Sequence, residues 1–282
     1  MFYLPYLYTV MTRYKSRGKI AVYFITYIFA ELLLYGLQIY FAEDIAFEFY
    51  YFFKLFITFL IALTSYVNIY ELGYIWNDTE TIKKESNPTM RLTDVQLNFY
   101  EDNKLFIYCE RVIVSLLANF TLYFLINVHS LIIFTLCEVV TLIVYAFYNK
   151  IRSNFCHFLY FLLVSIRYIS ITFCYSEYFN FSVFISCLFI FPIIRTMEYK
   201  AHYTEGTMNL FFRKYIIKFD VTKITLFRVL GTFSLLLVSI LLWLVKICNL
   251  MPVLCSFYIF LYRFLLFIAV KLGKEFKGYL KK

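Results

Sequence analysis

Between Glu71 and Arg91 the chain sets acids, amides and hydroxyls at a spacing that chemistry can use. Glu71, Tyr74, Asp78, Thr81 and Glu85 follow one another by three or four residues. A helix carried through this stretch puts all five on one stripe, with Asn77 beside it. Three carboxylates and two hydroxyls form a hard-oxygen set of the kind Mg²⁺ takes, commonly sharing the ion with substrate phosphates. On this reading Asn77, Asp78, Thr81 and Glu85 are the candidate metal ligands, and Asp78 and Glu85 the candidate catalytic acids. Glu71, Tyr74 and Arg91 are candidate substrate contacts. Lys83, Lys84 and Arg91 can grip phosphate oxygens, Arg91 with a rigid fork. The competing reading of the same residues is a solvated helix end of mixed charge.

A second cluster stands in "FPIIRTMEYKAHYTEG". Arg195, Glu198, His202 and Glu205 again step by three or four, along one helical stripe. Glu198 is its candidate catalytic acid. His202 is a poor ligand for Mg²⁺, so this stretch is expected to hold phosphate through Arg195 and Lys200, with His202 as a further substrate contact.

The elements that must position these residues are membrane helices. Apolar residues make up 62% of the 282-residue chain and charged residues 16%, against roughly 25% charged in soluble domains. The mean hydropathy is +0.73. Runs of about 20 apolar residues mark bilayer-spanning helices. Eight such runs lie near 19–41, 49–74, 105–126, 130–148, 155–174, 179–195, 224–246 and 250–271. The fold class expected is an all-α polytopic membrane protein, a bundle of about eight transmembrane helices forming one domain over 1–282.

Charge placement sets the expected orientation. With the N-terminus inside, most of the 27 Lys and Arg fall in inner segments and Lys246 alone in an outer connection, as positive-inside placement requires. Both termini are then cytoplasmic, and the expected location is a bacterial inner membrane. This placement accounts for the net charge of +9 and implies membrane lipids rather than nucleic acid as partners. Two inner connections, 75–104 and 195–223, are long enough to be active-site loops. They follow the second and sixth spans, which hints at a duplicated four-helix unit.

The order of residues in the first loop resembles the UbiA superfamily of intramembrane prenyltransferases. The signature of that family is an Asn-Asp pair, an acid three residues later, another four further on, then Asn, Pro and Arg. This chain has Asn77-Asp78, Thr81 in place of the middle acid with Glu80 adjacent, Glu85, Asn87-Pro88 and Arg91. The stretch also follows the second span, as in the family. The second signature, two aspartates four apart after span six, is here Glu198 and His202. The family usually has nine spans. The resemblance implies a Mg²⁺-dependent transferase that moves a prenyl group from an isoprenoid diphosphate to an acceptor. Aromatic side chains would line the tail cleft and steady carbocation character. One branch of the family instead transfers a phosphoribosyl group to a polyprenyl phosphate, and Asn87-Pro88-Thr89-x-Arg91 is loosely similar to its motif. A third possibility is a degenerate homologue that binds lipid or serves as a scaffold without catalysis.

Charges inside spans are functional or paired, because burying them is costly. Arg167 and Glu138 are expected to pair across spans four and five or to line the cleft. Glu110-Arg111 and Arg228 are expected to face the inner cavity, and Lys54 and Arg263 to snorkel. The seven cysteines lie mostly in apolar runs with no CxxC pair, and are expected to be buried packing residues.

Overall fold

The protein is an all-α, multi-pass integral membrane protein with eight helices long and apolar enough to span a bilayer. The computed structural model describes residues 1–42, 49–84, 89–151, 155–202 and 221–279, with backbone alone for 49–51, 84, 200–202, 221–223 and 274–279. A short helix α1 (Leu7–Arg13) precedes the first span, α2 (Arg17–Tyr40), which widens to π-helix at Phe24–Phe29. Then come α3 (Phe49–Trp76), α4 (Asp94–Tyr123), α5 (Val128–Lys150) and α6 (Cys156–Thr172). They are followed by α7 (Phe181–Ile190), α8 (Pro192–His202), α9 (Val221–Leu244) and α10 (Met251–Tyr279).

Four spans start where a side chain caps the helix. Ser16, Thr93, Asn127 and Asn180 each accept from a backbone N–H three residues on, satisfying a donor that the helix leaves open. Thr93 and Gln96 form a reciprocal capping box, so α4 begins at Asp94 rather than near 105. Much of the expected 75–104 loop is therefore helix.

The chain divides into two compact units, Met1–Phe179 and Asn180–Lys282. The first holds five spans and the second three, so the division is not the four-plus-four that the loop spacing hinted at.

In the first unit α3 and α6 are central. Over half of their most apolar stretches is buried, against 22% for α4, whose Leu105, Phe106, Leu116, Leu117 and Phe120 stand outward. Phe59, Leu63, Tyr66, Val67 and Tyr70 of α3 pack with Tyr145 and Leu163 in one core. Close approach of α3 to α5 depends on Gly73, where a Cβ would fall 2.3 Å from ring carbons of Tyr145.

Arg167 and Glu138 do not pair. Arg167 Nε donates to Glu31 Oε1 of α2 at 2.8 Å, while Glu138 accepts from Ser65 at 2.6 Å and Asn119 at 2.7 Å. The two neutral donors satisfy Glu138, and the one acid on α2 takes the arginine.

In the second unit α7 breaks at Phe191, and Pro192 opens α8 as a first-turn proline can. Gly231 of α9 lets α8 come close: a Cβ there would lie 2.6 Å from Ile194 Cδ1. One turn along each helix from that contact stand Arg228 and Glu198.

Candidate functional site

α3 does not stop at Trp76 but runs through a π-helical turn, Asn77–Thr81, and a 3₁₀ turn, Ile82–Lys84. π-turns inside helices are frequent at functional sites. Here the wider turn moves residues after Asp78 off the stripe that a regular helix would continue. Thr81 turns its hydroxyl back toward Trp76 O at 3.5 Å. Glu80 faces elsewhere, accepting from Tyr100 at 2.9 Å and from Lys83 and Lys104. Glu85, Asn87 and Pro88 lie outside the described residues.

Asp78 is the centre of the cluster that forms. Its Oδ2 accepts from Arg13 Nη1 at 2.7 Å and from the Tyr8 hydroxyl at 2.9 Å. Its Oδ1 accepts from Arg91 Nη1 at 2.9 Å, and from Arg13 Nη2 and Asn77 Nδ2, both at 3.2 Å. The Tyr74 ring lies under the Arg13 guanidinium, 3.7 Å from its centroid. The Asp78 side chain is fully buried, while those of Arg13 and Arg91 keep 17% and 32% of their surface. Burial, then the Asp78 charge, pushes the Tyr8 phenol far above its usual pKa. Burial pulls Arg13 down, but the Asp78 carboxylate outweighs it and holds the guanidinium above its ordinary value. Tyr8 is thus neutral and Arg13 charged at any working pH.

Two of these donors come from the N-terminal arm, which sequence spacing did not connect to Asp78. Arg111, fully buried in α4, explains how the arm is seated. Its Nε donates to Phe2 O at 2.7 Å and its Nη2 to Leu4 O at 3.1 Å. Its Nη1 donates to Asn68 at 2.7 Å and to Glu71 Oε2 at 2.9 Å. The other Glu71 oxygen accepts the Thr9 backbone N–H at 2.7 Å. Glu71, expected to touch substrate, has both oxygens engaged within the protein and anchors the arm. Arg111, expected to face the cavity, is the other half of that anchor.

Tyrosines continue inward from this cluster. Tyr74 meets Tyr70 at 5.2 Å, and Tyr70 meets Tyr145 at 5.1 Å. The Arg167 guanidinium stands 5.0 Å from the Tyr70 ring and 4.2 Å from Tyr27. Rings of one residue type thus link Arg13 to Arg167 through the interior.

Of the four expected magnesium ligands, Asn77, Asp78 and Thr81 lie among the described residues and Glu85 does not. Among the described residues no three His, Cys, Asp or Glu side chains come together. The oxygens of Asp78 are met by guanidinium, phenol and amide donors, Thr81 uses its hydroxyl on backbone, and Glu80 faces lysines. What the cluster offers an anion is two arginines whose side chains keep 17% and 32% of their surface.

In the second unit Glu198 is held in the same manner. Oε1 accepts from Arg228 Nε at 2.6 Å; Oε2 accepts from Arg228 Nη2 and Arg195 Nη1, each at 2.9 Å. The side chains of Lys200 and His202 lie outside the described residues, as does Glu205. Arg263 does not snorkel: it is 6% exposed, beside the Phe191 and Tyr262 rings. No family model, characterised protein or solved structure matches the chain.

Proposed function

We propose that the protein is an intramembrane transferase, UbiA-like in plan, that takes an isoprenoid diphosphate or phosphate at the Asp78 cluster. One observation carries this reading: a buried carboxylate at the Asn-Asp end of α3, flanked by two arginines that keep part of their surface. Arg13 and Arg91 offer planar forks that match phosphate oxygens. Asp78 fixes their orientation, and the Tyr74 face holds Arg13 from the other side. In prenyl transfer the bond between the allylic carbon and the diphosphate oxygen breaks, and its electron pair leaves with the diphosphate. The acceptor supplies the pair for the new bond and gives up a proton. Preoriented donors at the leaving oxygens stabilise that developing charge. The tyrosines running inward from Tyr74 present ring faces that favour a cationic allyl group.

The test is turnover and binding by the purified, full-length protein. Radiolabelled farnesyl and longer prenyl diphosphates are offered with membrane-extract acceptors, with Mg²⁺ and with EDTA. A parallel arm offers phosphoribosyl diphosphate with a polyprenyl phosphate. Transfer that Asp78→Asn and Arg91→Gln each reduce by about 100-fold or more, about 2.7 kcal/mol, supports the reading. Equal binding of the diphosphate by wild type and Arg91→Gln overturns the site. A second reading, a lipid-binding homologue without catalysis, is favoured by Thr81, whose hydroxyl is turned to backbone where the family has an acid. Binding that depends on Arg91, with no turnover in any arm, selects it.

A further inference from the structure

Glu138 stands near the middle of α5 (Val128–Lys150) and is 4% exposed. Three helices meet at its carboxylate. From α3, Ser65 Oγ donates to Oε1 at 2.6 Å, and from α4, Asn119 Nδ2 donates to Oε2 at 2.7 Å. Both donors are neutral. The described residues include all of α4 and α5 and all of α3 from Phe52 on, and no cation among them pairs with Glu138. The titratable side chains around it are Cys137 on α5, Cys174 in the turn after α6, and Tyr66 on α3, whose hydroxyl bonds Thr141 at 2.8 Å. None of them brings a positive charge. Glu31 and Glu71, the other buried acids of the spans in this unit, are each met by an arginine.

An ionised carboxyl inside a bilayer is costly unless a positive charge neutralises it, and such acids mark ion and proton sites. The two neutral donors satisfy the hydrogen bonding of Glu138 and leave its charge standing. Asn119 Oδ1 is enclosed as well, with no hydrogen-bond partner. The site therefore holds a further oxygen with nothing positive against it. Carboxylate, hydroxyl and amide oxygens together suit a small hard cation.

We propose that Glu138, Ser65 and Asn119 form a mid-membrane site for a monovalent cation, a proton or Na⁺. Glu138 binds either one. For Na⁺, Ser65 Oγ and Asn119 Oδ1 complete the oxygen set, the amide turning to present its oxygen in place of its nitrogen. When Na⁺ enters, the carboxyl proton leaves to water, so the site holds one positive charge in both states. Asn119 is only partly buried, which gives the cation a way in. This site does not rest on the Asp78 reading.

The experiment is infrared difference spectroscopy on the full-length protein in phosphatidylcholine nanodiscs. One arm compares acid with alkaline buffer in choline chloride. The other compares choline chloride with NaCl at one acid pH and equal ionic strength. A protonated carboxyl gives a C=O band, which subtraction of the Glu138→Gln spectrum assigns to Glu138. That band is expected in acid choline buffer. Its loss in NaCl assigns a site that Na⁺ shares with the proton, and loss in alkaline buffer alone assigns a proton site. Asn119→Leu removes an ion ligand and a donor to the carboxylate. It is expected to weaken Na⁺ about tenfold, the scale of one contact to a charged group, and to hold the proton to more alkaline pH. Identical spectra for wild type and Glu138→Gln in both arms overturn the proposal. So does a Glu138 band that persists in every buffer, which makes the residue a fixed neutral acid. Should Glu138→Gln fail to fold, Asn119→Leu serves instead, and midpoints that it leaves unmoved overturn the proposal.

Discussion

Asp78 and Glu198 are each a buried carboxylate held by two arginines, yet the two clusters are built differently. Asp78 lies among donors of mixed type, and one of its arginines arrives on a separately anchored arm. Among the described residues Glu198 accepts only from arginines, and the buried Arg263 Nε nearby has no hydrogen-bond partner. The first cluster sets two arginines against one acid, and both donors to Glu198 come from helices that pack beside it. The same local motif can therefore draw its donors from a distant arm or from the helices beside it. The origin of the donors, and not the acid itself, separates the two.

The largest effect expected on this comparison comes from the anchor, which the Glu198 cluster lacks. Arg111→Leu strands Glu71 as a fully buried charge and leaves the Phe2 and Leu4 carbonyls and Asn68 without their donor. Breaking a buried pair from one side costs about 3–5 kcal/mol. Thermal unfolding in detergent should show a large fall in Tm, and protease should clip the arm near α1. An intact, undigested arm in a stable Arg111→Leu protein removes the anchor from the account.

Next come the two acids themselves. Glu198→Gln removes the buried carboxylate that accepts from Arg195 and Arg228, so it is expected to cost about 3–5 kcal/mol. Asp78→Asn leaves Arg13 and Arg91, both partly exposed, free to regain water, so about 1–3 kcal/mol is expected. Denaturant unfolding of the two variants in one detergent measures the difference. Equal losses would show that the two carboxylates are held alike, and the contrast would fall.

The eight spans were legible because long apolar runs are a direct demand of the bilayer. Asp78 was legible too, from local order. Its partners were not: Tyr8 and Arg13 lie more than sixty residues away, and no local spacing encodes an arm pinned by Arg111 and Glu71. Arg167 shows the same limit. The cost of a membrane charge demands a partner but does not choose between Glu138 and the more distant Glu31. The start of α4 was hidden for another reason. Its first turns are polar, so a hydropathy window passes over them, although Thr93 and Gln96 carried the capping signal. The π-turn at Asn77–Thr81 escaped as well, because a strict three-four stripe assumes a regular helix.

The two close-approach glycines sharpen the comparison on a smaller scale. A methyl at Gly73 would enter the Tyr145 ring, which is buried beside Tyr70, Tyr74 and Tyr148. At Gly231 it would meet only the end of Ile194, which can rotate. Gly73→Ala is expected to lose about 1–3 kcal/mol to overpacking. Gly231→Ala should change stability by less than about 1 kcal/mol, since better helix propensity offsets the shift of Ile194. Thermal unfolding of both variants checks this. A large loss at Gly231 would show that the α8–α9 register around Glu198 is as tightly fixed as the α3–α5 contact near Asp78.

The smallest effect belongs to the exposed pairs beside Asp78. Lys83 bonds Glu101 at 2.5 Å and Glu80 at 3.3 Å. The Glu101 bond, against slight burial, raises the Lys83 pKa, so the lysine is charged throughout the neutral range. Both Lys83 and Glu101 are about half exposed, however, and exposed pairs contribute about 0–1 kcal/mol. Their attraction is screened in about 1 M salt, where the Debye length is about 3 Å. Lys83→Met should therefore unfold within about 1 kcal/mol of wild type at low salt and closer still at high salt. A loss well beyond that, insensitive to salt, would mean that the Glu80 side of the turn is part of the Asp78 cluster. The mixed-donor seat would then extend across the π-turn, and its contrast with the arginine pocket around Glu198 would widen.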